Sequence, residues 1–126
     1  MNRIHTDKAP AAVGPYSQAI EVNGVVYVSG QIAIDPMVGR IVAIDIEGQA
    51  EQCCKNVETI LNSCYMGIKS VVKTTCFLAD MADFHKFNSV YEKYFVSRPA
   101  RSCVAVRSVP AGALCEIEVI AVKNSK

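Results

Sequence analysis

The sequence predicts an α+β domain in which two helices lie on one side of a mainly antiparallel sheet. Three observations carry this prediction. Asn23-Gly24 separates two apolar extended runs, and that dipeptide supplies the two positive-φ positions of a type I′ hairpin turn. Ala50, Cys53, Cys54, Val57, Ile60, Leu61 and Cys64 recur at helical spacing, which marks an amphipathic helix with a single apolar stripe. The segment 71–78 is rich in β-branched residues and the segment 114–122 alternates apolar with polar, so each reads as a strand. The resulting order is ββ(β)αβαββ.

In chain order, residues 1–15 hold Pro10, Gly14 and Pro15 and read as an irregular or edge segment. The segments 16–22 and 25–29 form the arms of the hairpin. A two-residue turn sets Val22 against Val25, Ile20 against Tyr27 and Gln18 against Ser29. Tyr16, Gln18, Tyr27 and Ser29 then share a face with Ile20 and Val22. Tyr16 and Ser29 become diagonal neighbours at the open end, where their hydroxyls either rim a binding site or bond to nearby backbone. Residues 32–40 form a connector with turn signals at Asp35-Pro36 and Gly39, and 41–44 a short extended piece. Asp45 caps the first helix and Gly67 stops it.

Beyond the strand at 71–78, Asp80 caps the second helix, with Phe84, Phe87, Tyr91, Tyr94 and Phe95 as its packing stripe. Asn88 lies on that stripe, one turn from Phe84 and Tyr91, where a buried amide needs a partner. Pro99 fixes its own φ and biases Arg98 toward extended geometry. The strand that follows places Val104 and Val106 on one face and Arg101, Cys103 and Ala105 on the other. Arg101 presents a planar donor fork that suits a carboxylate or phosphate, or else it is a surface arginine at a strand end. Residues 108–113 form a loop. The last strand puts Cys115, Ile117, Val119 and Ala121 on one face and Glu116, Glu118 and Ile120 on the other. Such a carboxylate pair is ordinary on a solvated strand; partly buried near Arg101, one of them could orient water or act as acid or base.

The 126 residues suit one domain spanning 1–126. With 51% hydrophobic and 20% charged residues, the chain is globular rather than disordered. A mean hydropathy of +0.21 is high for so short a chain. Either another subunit covers apolar surface or the private core is larger than usual. A net charge of +1 argues against broad electrostatic binding of nucleic acid. No apolar run approaches the roughly 20 residues of a membrane span. The beginning of the chain resembles neither a signal nor a transit peptide, and a cytoplasmic location is expected. The six cysteines are expected to be reduced core fillers without metal-ligand spacing.

Five segments occur in a telling order: Gly14-Pro15-Tyr16-Ser17-Gln18-Ala19, Val28-Ser29-Gly30-Gln31-Ile32, Val71-Val72-Lys73-Thr74-Thr75, Pro99-Ala100-Arg101-Ser102-Cys103 and Glu116-Ile117-Glu118. Together they resemble the reactive intermediate deaminase A family over essentially the whole chain. The resemblance implies a chorismate-mutase-like (ferredoxin-like) fold assembled as a homotrimer, with sites in the clefts between subunits. It also implies hydrolysis of 2-imino or 2-enamino acids, released by pyridoxal-phosphate enzymes, to 2-keto acids and ammonia without a cofactor. By this resemblance Arg101 binds the substrate carboxylate, Tyr16, Ser29 and Asn88 line the site, Cys103 contacts ligand through its backbone, and Glu116 holds the attacking water.

One departure stands out. Arg98 occupies a position where family members commonly carry an aromatic residue, and the connection from the second helix looks slightly short. A second guanidinium there either favours anionic substrates or points into solvent. Two other functions remain open on the same fold: a non-catalytic keto-acid-binding regulator, and an endoribonuclease or translation inhibitor. The near-neutral charge and the lack of an aromatic-basic patch weigh against the second.

Overall fold

Backbone hydrogen bonding orders the chain into eight strands and two α-helices in a computed structural model that describes residues 1–123. The strands are β1 (Asn2–Ile4), β2 (Ala19–Val22), β3 (Val25–Gln31), β4 (Ile34–Asp35), β5 (Arg40–Ile41), β6 (Val71–Leu78), β7 (Ala100–Ala105) and β8 (Cys115–Val122). The helices are α1 (Ile46–Ser63) and α2 (Phe84–Tyr94). Six strands form one sheet in the order β1-β2-β3-β8-β6-β7, while β4 and β5 make a separate ribbon. Only the β6–β7 pair in the large sheet is parallel. The expected α+β architecture is therefore present.

The hairpin turns as its sequence dictates. Asn23 and Gly24 have φ values of 50° and 79°, and Val22 pairs with Val25 and Ile20 with Tyr27. Its first arm is shorter than expected, because β2 begins at Ala19 rather than Tyr16. The Tyr16 N–H turns back onto the Gly14 carbonyl at 2.9 Å, and β1 pairs no further than Ala19. Gln18 is buried just outside the strand. Its amide donates to the carbonyls of Thr6 and Pro10 and accepts from the Thr6 N–H. The side chain thus ties the N-terminal segment to the sheet, while the Gln18 carbonyl accepts the Ser29 N–H at 2.9 Å, the pairing that the hairpin register sets.

Asp45 caps α1 by accepting the Gly48 N–H at 2.8 Å. Gly67 does not stop this helix. Tyr65 takes the left-handed position, with φ 64°, and its N–H reaches the Asn62 carbonyl while that of Met66 reaches Leu61. These two bonds satisfy the last carbonyls as a glycine C′ residue normally does. Asp80 accepts from the Ala82 N–H, but it caps a single 3₁₀ turn (Met81–Asp83) that leads into α2.

Both helices cover the same side of the sheet. Val57, Ile60 and Leu61 of α1 and Phe87 of α2 meet Val26, Leu78, Ile117 and Val119 in one core. Each such side chain contributes roughly 1.5–3 kcal/mol on burial. Cys53, Cys54, Cys64, Cys76 and Cys115 are buried, as their filler role requires, and Cys103 is half-buried. No described helix covers the other side of the sheet. On it Val22, Tyr27, Val104 and Val122 remain 37–49% exposed, an apolar surface that a single chain leaves open. No described helix is long and apolar enough to cross a membrane.

The link from α2 to β7 overturns one expectation. Arg98 is left-handed, with φ 56°, rather than extended. Its N–H closes a turn onto the Phe95 carbonyl at 3.0 Å. So short a reversal between helix and strand needs a positive-φ residue, and that need outweighs the extended bias of Pro99.

Candidate active site

Arg101 is the second residue of β7 and faces the helices. Its Nη1 donates to Asn88 Oδ1 at 2.7 Å, so the amide on the stripe of α2 has found its partner. The guanidinium carbon lies 4.7 Å from the ring centroid of Tyr91 and 5.6 Å from that of Phe84. These faces hold the cation by cation–π attraction while leaving the rest of the donor fork unspent. Tyr91 is itself anchored by a 2.7 Å hydrogen bond between its hydroxyl and that of Thr74, the residue paired with Arg101 across the β6–β7 ladder. Arg101, Asn88, Tyr91 and Arg98 open onto a cavity of about 500 Å³. By sequence pattern Tyr91 and Phe84 belong only to the packing stripe of α2, although both lie one turn from Asn88.

Cys103 follows two residues later on the same face and pairs with Cys76 of β6. The neighbouring Cys76 thiol, helped by the positive charge of Arg101, holds Cys103 down at about 7 against the opposing effect of burial. The same pairing and burial push Cys76 far up, so it keeps the proton. Among the described residues no group of His, Cys, Asp and Glu is arranged to hold a metal ion.

Glu116 belongs to a second cavity, of about 530 Å³, lined also by Tyr16, Ser29 and Gly30. Its carboxylate makes no hydrogen bond to another described residue and is half-buried. Burial, and then the charge of Glu118 two residues on, raise its pKa above the ordinary carboxylate value. The Ser29 hydroxyl donates to the Ser17 carbonyl at 2.6 Å. The Tyr16 hydroxyl accepts from the Val13 N–H at 3.3 Å, which leaves its own proton available to a ligand. A Cβ on Gly30 would sit 2.3 Å from Oε2 of Glu116, so this position must lack a side chain for the carboxylate to lie where it does. A glycine inside a strand was the available signal for that close approach.

The structure thus brings the expected residues together in two groups. Arg101 pairs with Thr74 and Thr74 with Val119, a row on the helix-covered face. Glu116 pairs with Phe77 and Phe77 with Val104, a row on the opposite face. Arg101, Asn88 and Cys103 therefore occupy one side of the sheet, and Glu116 opens on the other side into the cavity it shares with Ser29 and Tyr16. The diagonal contact expected of Tyr16 and Ser29 within a ladder is replaced by their shared place around that cavity.

The sequence profile of the family described as Endoribonuclease L-PSP matches residues 6–123. The chain belongs to this family. It is also the family its motifs resemble, since relatives in it are named as imine deaminases. The mouse 2-iminobutanoate/2-iminopropanoate deaminase is 46% identical over 122 residues, covering 96% of this chain and 90% of the mouse protein. A Lactococcus lactis protein described as the regulator AldR is 49% identical over 122 residues, covering 96% and 97% of the two chains. Among solved structures, Escherichia coli TdcF with bound serine superposes with a TM-score of 0.93 at 37% identity, over 98% of this chain and all of that one. Endoribonuclease L-PSP family members thus carry deaminase and regulator names at similar distances from this chain.

Proposed function

We propose that the protein hydrolyses reactive 2-imino acids to 2-keto acids and ammonia in a homotrimer whose sites form between subunits. The observation that carries this reading is the posture of Arg101. One edge is fixed on Asn88, its face is stacked on Tyr91, and the remaining N–H groups open onto a cavity. Such a fork pairs with a carboxylate in a bidentate manner and fixes C2 of the substrate in space. The split between Arg101 and Glu116 supports assembly, because a second copy can bring its own Glu116 to the Arg101 of the first. The open apolar sheet face supports it too.

The chemistry then needs little more than position. A water held by Glu116 attacks C2 of the imine, and the carboxylate takes the water's proton as the C–O bond forms and the C=N electrons move to nitrogen. The raised pKa makes Glu116 a stronger base than an ordinary carboxylate, which suits this proton transfer. Proton return to nitrogen, departure of ammonia and formation of the C=O bond complete the hydrolysis. Tyr16 and Ser29 would hold the water or the departing amine, and Cys103 would border the clamp through its backbone.

The test generates 2-iminobutanoate in place with a threonine dehydratase and includes semicarbazide as a competing trap. Wild type is expected to speed 2-oxobutanoate release, and Arg101→Ala to lose about 100-fold or more of that effect. Equal rates would reject the clamp. No acceleration by wild type would favour the regulator reading, since an arginine clamp alone is sufficient to bind a keto acid.

A further inference from the structure

Arg98 and Arg101 open onto the same cavity but are held very differently. Arg101 is fixed by Asn88 and Tyr91, whereas the Arg98 side chain is exposed and has no ion-pair or hydrogen-bond partner among the described residues. Three residues apart, their Cα atoms are separated by no more than about 11 Å, within the combined reach of two long side chains. Arg98 also occupies a left-handed backbone position, φ 56°, that glycine or asparagine adopts more readily. An outlying conformation kept by a charged residue at a cavity mouth points to use of the side chain. Glu92 is the acidic side chain lining this cavity, and it makes no ion pair with Arg98.

We infer that Arg98 forms a second anion subsite that gives the cavity a preference for 2-imino acids bearing a carboxylate on the side chain, the imines of aspartate and glutamate. This rests on Arg101 clamping the first carboxylate. The substrate then lies across the cavity with one carboxylate on each guanidinium, and an aliphatic side chain would leave Arg98 without a partner. Exposure makes the second contact salt-sensitive, so it adds selectivity more than tight binding.

Calorimetry with the stable keto acids tests this apart from turnover. Wild type is expected to bind 2-oxoglutarate or oxaloacetate about 10-fold more tightly than 2-oxobutanoate at low salt, a preference that shrinks as salt is added. In Arg98→Gly that ratio should collapse toward one, with a melting temperature no lower than wild type because the backbone strain is relieved. Arg98→Lys should retain part of the ratio. Equal affinities in wild type, no binding of either acid, or a ratio that survives in Arg98→Gly would each overturn the assignment. A preference that vanishes in Arg98→Gly, in a protein that hydrolyses no imine, would sustain the subsite and reject the deaminase reading.

Discussion

Gly30 leaves no room for a methyl group beside Glu116: a Cβ there would stand 2.3 Å from Oε2 and 2.8 Å from the carboxyl carbon. The obstructing atoms are the free end of a flexible side chain, so the fold can accommodate alanine by swinging the carboxylate away. Gly30→Ala should therefore cost less than about 1 kcal/mol of stability while lowering turnover about 100-fold, through loss of a correctly placed base. A denaturant titration beside an imine-hydrolysis assay separates the two effects. Turnover near the wild-type level would mean that the carboxylate position is irrelevant to the chemistry.

Because Arg101 and Glu116 face opposite sides of one sheet, each can be removed from a different copy. A co-refolded mixture of Arg101→Ala and Glu116→Gln subunits should recover about a quarter of wild-type activity, the fraction of random interfaces that pair two intact residues. Each variant alone should stay near background. Light scattering should give three times the 13.7 kDa chain mass. A monomeric mass, or a mixture no better than its components, would count against sites built between subunits.

Cys103 reports on the Arg101 clamp without any substrate. Its pKa near 7 derives first from the Cys76 thiol and then from the Arg101 charge. Alkylation by iodoacetamide, read at Cys103 by mass spectrometry, should rise with pH around neutrality instead of in the ordinary thiol range. Cys76→Ala should move that rise upward, and Arg101→Ala should move it upward by a smaller amount. If all three proteins share one profile, neither neighbour holds the thiolate.

Much of this arrangement is legible in the sequence because it follows from local periodicity. Asn23-Gly24 fixes the hairpin register, alternation along β8 puts Glu116 opposite Ile117, and helical spacing puts Asn88 on the packed stripe of α2. What escapes is set by long-range packing. The exchange of Gly67 for Tyr65 at the end of α1, and the left-handed turn at Arg98, depend on where the next strand must begin. The stacking of Arg101 on Tyr91 requires β7 to lie beside β6 and under α2, a pairing that no local pattern encodes. The Arg101–Glu116 split could be read only once β6 linked their two strands, since the parity of one strand means nothing until the rows of its neighbour are known.

Glu116 also leaves a mark on stability. Burial and Glu118 raise its pKa in the folded protein. Between the unfolded carboxylate value and that raised value the native state holds the proton that the unfolded chain has already lost. Stability contributed at this position is thus full below the unfolded pKa and falls as pH rises through the window. Glu116→Gln removes the charge and should be the more stable protein above the window, by an amount that disappears in acid. Urea titrations of both proteins across this range check the sign. A wild type that gains stability relative to Glu116→Gln as pH rises would show that the carboxylate is stabilised in its charged form, and would remove the physical basis for treating it as a stronger base than an ordinary carboxylate.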